Sequence, residues 1–261
     1  MSLILHCGAG AINRDQLANL PVPAPRGSRH VCRPFIDDVE LVDRFLGENG
    51  FVIAEEGFGV KTGKSNDVSQ FFGLLEIKPK TLEGEYIPAN HEFRLQVGIR
   101  GSYDQSLPRG LSVGSLVTVC DNLAFSGEIN AYAKQTTHVA TRIERLLADA
   151  VARVPVMAEL QNKRFEAYRN YALSKPKGDA ILIEAVRMGV LNPSDIGKAI
   201  KEWDEPSHAE HAADGKTVWR LFQEITESIK PSNQDRAHVL SAWQRTVPLT
   251  QYLDRGVGLV H

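Results

Sequence analysis

GIRGSYDQSLPRGLSVGSLVTVCDNLAFSG, Gly98 to Gly127, is the stretch on which the fold turns. Just before and into it, Phe93, Leu95, Val97 and Ile99 alternate with polar or small residues, the period of a half-buried strand. A turn-rich loop follows from Gly101 to Gly110, and the chain returns through Ser115 to Cys120 as a second strand. Asp121, Asn122 and Ser126 then stand at that strand's end. The pattern predicts polar side chains presented at the rim of an antiparallel sheet, with Ser102, Asp104, Cys120, Asp121 and Asn122 as the lining of a pocket.

Working outward, further strands are expected over Phe51–Glu55, Gln70–Ile77, Phe93–Arg100 and Leu116–Cys120, close enough in sequence for a meander. A short helix is expected over Asp37–Leu46, where Val39, Leu41, Val42, Phe45 and Leu46 are apolar, with Gly47 or Gly50 as its stop. Ahead of it, Leu20–Arg29 (LPVPAPRGSR) carries three prolines and reads as extended, so residues 1–35 are expected to form an arm.

After Asn130 the apolar period changes to that of a helix, with Val139, Ile143, Leu146, Leu147, Ala150 and Val154 on one face, expected to pack on the sheet. Its flank carries His138, Arg142, Arg145 and Arg153 with Asp149, and Lys134, Lys163 and Arg164 lie nearby. From Val156 on the pattern is helical: a first helix is broken by Lys175–Gly178, and others run over Asp179–Val190, Pro193–Trp203, Lys216–Ile229 and Asn233–Arg245. The fold class expected is α+β, an antiparallel sheet packed by a long amphipathic helix (36–154), then an all-helical part (155–261).

The chain has 261 residues, 43% of them hydrophobic, which is enough for a substantial core and excludes wholesale disorder. No apolar run approaches the roughly 18 residues of a membrane span, and the opening lacks a basic flank, so no membrane association is expected and a cytoplasmic location is. Three cysteines, Cys7, Cys32 and Cys120, suit reduced thiols. A net charge of −2 excludes a global pull toward nucleic acid, so any such binding must use a local basic surface.

Several motifs resolve into ordinary chemistry. GFGVKTGKS, Gly57–Ser65, has Phe58 where a phosphate loop needs its first glycine, and reads as a solvated hairpin loop. His6, Cys7, His30 and Cys32 match no zinc spacing, and His208-Ala-Glu-His211 lacks the zincin arrangement, so no metal and no cofactor are expected. Ser102, Asp104, Ser106 and His91 lack a nucleophile elbow and suit turns.

The opening LHCGAGAINRDQL, the middle FFGLLEI, the segment quoted first and the late DGKTVWRLFQEITESIK together resemble the phage and plasmid-like family called domain of unknown function 932. Arg100, Ser102, Asp104 and Cys120 to Phe125 keep the family's middle motif, whereas Gly101 and Tyr103 stand where it often has asparagine and histidine. The resemblance implies a mobile-element origin, hence a host-cell cytoplasm, and brings no established reaction. The order of elements is also similar to that of single-strand annealing proteins, by analogy alone.

The leading expectation is therefore a phage-type protein binding single-stranded DNA in replication or recombination, with Arg100, Lys134, Arg142 and Arg145 on phosphates. It is expected to form a homo-oligomer. The alternatives are an enzyme of unknown class acting on a nucleotide or small molecule through the pocket named above, and a module holding a host protein through Trp203, Trp219 and Trp243.

Overall fold

The computed structural model describes residues 9–63, 68–80, 93–117, 123–213, 215–229 and 239–259. The chain divides into two compact units, the first holding 1–114 and 127–155, the second 115–126 and 156–261.

The first unit carries β1 (Gly10–Ile12), α1 (Arg14–Ala18), α2 (Ile36–Glu48), β2 (Phe51–Thr62), β3 (Val68–Pro79), β4 (Phe93–Ser102), most of β5 (Arg109–Val117) and β6 (Leu123–Ala133), and α3 (Val139–Val151). The strands form one six-stranded antiparallel sheet in sequence order. The α+β class with a helical carboxy-terminal part is thus what the chain adopts.

Side chains alternate across a strand, and here the alternation separates a closed face from a more open one. Phe71, Leu75, Ile77, Leu95, Val97, Ile99, Leu111, Val113, Ala131 and Ala133 are buried. Against them lies α2 with Phe35, Val39, Val42 and Leu46: Phe35 stacks on Phe71 at 5.1 Å and on Tyr103 at 4.0 Å between ring centroids. Each such large apolar side chain contributes about 1.5–3 kcal/mol on burial.

One charged residue sits inside this core. Arg109 is fully buried, and its guanidinium donates to Asp38 Oδ2, to the Arg33 carbonyl and to the Pro34 carbonyl, each at 2.7 Å. Asp38 is itself buried; burial raises its carboxyl above the ordinary value while the Arg109 charge and hydrogen bond pull it down. Beside it, Gly110 has φ +151 and lies so close to β6 that a Cβ would sit 1.8 Å from the Ala131 carbonyl oxygen, so only glycine fits.

Several expectations are corrected. Within residues 1–35, read as an extended arm, β1 and α1 form, the latter closed by a capping box between Asn13 and Gln16. Gly57–Thr62 of the expected hairpin loop is strand, part of β2, and Lys64 and Ser65 lie outside the described residues. Strand β6 was not foreseen, because its alanines, glycine and asparagine have weak strand propensity. The expected helical cover of the sheet is present, with α3 packed against α2 and α2 on β2.

The second unit is built from α4 (Val154–Asn170), whose first two residues belong to the first unit, α5 (Lys175–Arg187), α6 (Ile196–Asp204), α7 (Ala209–Ala213), α8 (Val218–Ser228) and α9 (Val239–Gly256). Helix α8 is buried on nearly every side and packs against α5, α6 and α7. The Lys175–Gly178 break is instead the first turn of α5: Ser174 is extended ahead of it and Pro176 lies in the turn where a missing N–H costs nothing. Gly178 then lets Trp203 approach, since a Cβ there would lie 2.5 Å from the indole. Helix α9 runs on through Pro248, past the expected end at Arg245. Trp203 and Trp219 are core residues, not interface anchors, and the Trp243 side chain lies outside the described residues.

Replacing Arg109 by Met should cost about 3–5 kcal/mol in urea unfolding, because it strands the buried Asp38 carboxylate. Asp38→Asn keeps both carbonyl bonds but leaves the buried Arg109 charge without its carboxylate, so it should cost a comparable amount; a loss under about 1 kcal/mol for either variant would contradict this account of the core.

Candidate nucleic-acid interface

The residues opposite the closed face form a different surface. Phe72 of β3 is directly paired with Arg100 of β4 and with Gly59 of β2, so all three lie on the side away from Phe71 and Gly101. The Lys61 ammonium stands 5.5 Å from the centroid of the Phe72 ring. The Arg100 guanidinium lies 4.2 Å over the Tyr132 ring of β6. Gly110 makes that reach possible: a Cβ on it would come within 2.7 Å of the Tyr132 ring. Phe72, Tyr132, Lys61 and Arg100 are all half-buried, so each ring keeps an accessible surface. Among the described residues, Lys61, Arg100 and the exposed Lys134 are in no ion pair, and Arg100 Nε has no hydrogen-bond acceptor.

This open face holds one of the four expected phosphate contacts, Arg100, with Lys134 two residues beyond Tyr132. Arg142 and Arg145 stand together and exposed on α3, but α3 belongs to the helical layer behind the closed face. The single trough of all four cations is thus corrected to two separate surfaces. Glu144 does not neutralise the α3 arginines, since it pairs with Arg44 at 2.9 Å. Lys163 and Arg164 are engaged by Glu159 and Asp254.

The loop between β4 and β5 was the expected pocket. Ser102 is fully buried, donates to the Leu107 carbonyl at 3.0 Å and accepts from the Leu107 N–H at 2.9 Å, so its hydroxyl is spent on the turn. Asp104 accepts from the Ser106 N–H at 2.9 Å and from its hydroxyl, around Gln105 at φ +65. Desolvation pushes the Asp104 carboxyl up, but the Ser106 bonds outweigh it and hold it below the ordinary value. Burial pushes the Tyr103 phenol up to about 12, so it offers no base at neutral pH. Cys120, Asp121 and Asn122 lie outside the described residues, as does His91. What is described of the loop is turn chemistry.

The metal candidates divide in the same way. His30 Nδ1 accepts from the Arg26 N–H at 3.0 Å, and burial raises the neighbouring Cys32 thiol. His211 of α7 faces Glu224 at 3.3 Å and His208, just ahead of α7, faces Glu227 at 3.6 Å, so each histidine meets a carboxylate of α8. Among the described residues no three His, Cys, Asp or Glu side chains converge on a metal position. His6 and Cys7 lie outside them. No described helix is long and apolar enough to cross a membrane.

Phe72, Tyr132 and Lys61 were missed by sequence reading. The signal for Phe72 was present: in FFGLLEI, the core takes Phe71, so alternation puts Phe72 outside. No family model matches this chain, and neither does any curated protein or solved structure. The site therefore rests on its own geometry.

Because the folded Asp104 carboxyl is depressed, its turn is stabilising above the ordinary aspartate range and loses that stabilisation as pH falls through the lowered value. Asp104→Asn should flatten the acid limb of the stability curve below about pH 4. A thermal-unfolding series with an unchanged limb would contradict the turn's role.

Proposed function

We propose that the chain binds single-stranded nucleic acid across the open face of its sheet. The observation that carries this is the pairing of two accessible rings with two cations, Phe72 with Lys61 and Tyr132 with Arg100. Single-strand binding asks for this combination: bases stack on aromatic faces without regard to sequence, and cations beside the rings take the phosphates. A stacked base is worth about 1–3 kcal/mol by alanine substitution. Helix α3 offers arginines without a single aromatic residue, so it supplies the electrostatic half alone. The overall charge of −2 makes the local arrangement the source of affinity. The mobile-element setting implied by the family resemblance, and a place in replication or recombination, belong to the same proposal.

The test is a fluorescence-anisotropy titration of labelled single-stranded DNA at two salt concentrations. Phe72→Ala and Tyr132→Ala should each weaken binding by about 5- to 150-fold, the range of one lost stack. Arg100→Ala should lower the salt slope by about 0.7, one phosphate's share on a single strand. Arg142→Ala with Arg145→Ala should leave the two aromatic effects intact. Absence of binding by the wild-type chain, or binding indifferent to both rings, would overturn the reading.

A further inference from the structure

The side chains of the open face stand in rows that cross the β-strands. The ring row runs Gly59, Phe72 and Arg100 over β2, β3 and β4, then Gly110 of β5, which lies against Ala131 and Tyr132 of β6. Two residues further along each strand, and so on the same face, a second row holds Gly57, Leu74 and Gly98. This row is a low floor: a Cβ at Gly98 would meet a single described atom, the Ser112 carbonyl oxygen at 3.8 Å. Two residues the other way from the ring row stands Lys61, opposite Gln70. Strand β6 runs in the direction of β4, so the exposed Lys134, two residues beyond Tyr132, lies on the Lys61 side.

Charge changes sign from one side of the rings to the other. Lys61 and Lys134 have no ion-pair partner among the described residues. Beyond the glycine floor, Glu55 of β2 stands opposite Glu76 of β3 on the same face. Glu76 is held by Lys78 at 3.5 Å, whereas Glu55 has no ion-pair partner among the described residues. A polyanion is drawn to the lysine side and kept from the glutamate side.

We infer an orientation for the bound strand: it crosses the sheet at right angles to the β-strands, with its sugar–phosphate chain along Lys61 and Lys134 and its base edges over Gly57, Leu74 and Gly98. The inference rests on the single-strand reading above and adds what that site selects. Phe72 and Tyr132 stand three strand spacings apart, about 14 Å. That is roughly four times the 3.4 Å rise of a stacked strand. The bases on the two rings are therefore not neighbours, and at least one nucleotide lies between them, over Arg100. A duplex is rejected, because the partner of each paired base would carry a second phosphate chain over Glu55 and Glu76. Gly98 is thus a specificity-determining position, keeping the floor low enough for bases.

The experiment titrates the full chain, at low salt, with two probes of equal length: oligothymidylate, and an abasic oligonucleotide that carries the phosphates without bases. Gly98→Leu raises the floor and should weaken oligothymidylate binding by about tenfold or more, while the abasic chain binds it as it binds the wild type. Lys61→Ala and Lys134→Ala should weaken both probes, each lowering the salt slope by about 0.7. Circular dichroism should show every variant folded. Oligothymidylate binding that needs both rings yet ignores Gly98→Leu would overturn the orientation and leave the single-strand reading standing. So would a folded Gly98→Leu chain that loses both probes alike, or salt slopes unmoved by either lysine change. Binding indifferent to the rings would instead remove that reading, and the orientation with it.

Discussion

The buried Arg109 guanidinium is the constraint on which this architecture depends. It stands at the start of β5 and binds the carboxylate of α2 and the two carbonyls that lead into that helix. With its cation 5.4 Å from the Phe35 ring, it fixes where the amino terminus of α2 meets the sheet. Desolvating a guanidinium is expensive unless its donors are satisfied, and here Nε and both terminal nitrogens find acceptors. A helix held this way closes one face of the sheet. The same turn of chain places Gly110 against Ala131 and Tyr132, pressing β5 and β6 together where the opposite face opens.

What results is a sheet with two unlike sides. The closed side is apolar, and its rings stack on one another. The other carries glycines, polar residues and two rings under cations. A lysine or arginine over an aromatic face contributes about 0.5–2 kcal/mol, and it also holds the ring in a fixed orientation. Rings held this way lose little freedom when a planar ligand arrives, which suits stacking at low entropic cost. The cations keep their remaining donors, because no carboxylate among the described residues engages them.

Much of the scaffold could be read from residue order. The alternation in Phe93–Ile99 and in FFGLLEI marks β4 and β3, and the 3.6-residue period after Asn130 marks α3. The errors have physical sources. Pro176 read as part of a break, yet it sits in the first turn of α5, and the last helix, expected to end at Arg245, continues through Pro248. Arg109 read as part of a polar loop because charged residues are seldom buried, and its partner Asp38 lies 71 positions earlier. The arginines were grouped by proximity along the chain, whereas the sheet separates α3 from Arg100. Local pattern reports periodicity, and the side of the sheet on which a helix lands is set by contacts distant in sequence.

Ultraviolet crosslinking of the full chain to single-stranded DNA, followed by peptide mass spectrometry, addresses the central claim most directly, because short-range crosslinking reports the residues on which bases stack. The account predicts adducts at Phe72 on β3 and Tyr132 on β6. Adducts confined to α3 or to the second unit, with both rings unmodified, would contradict it.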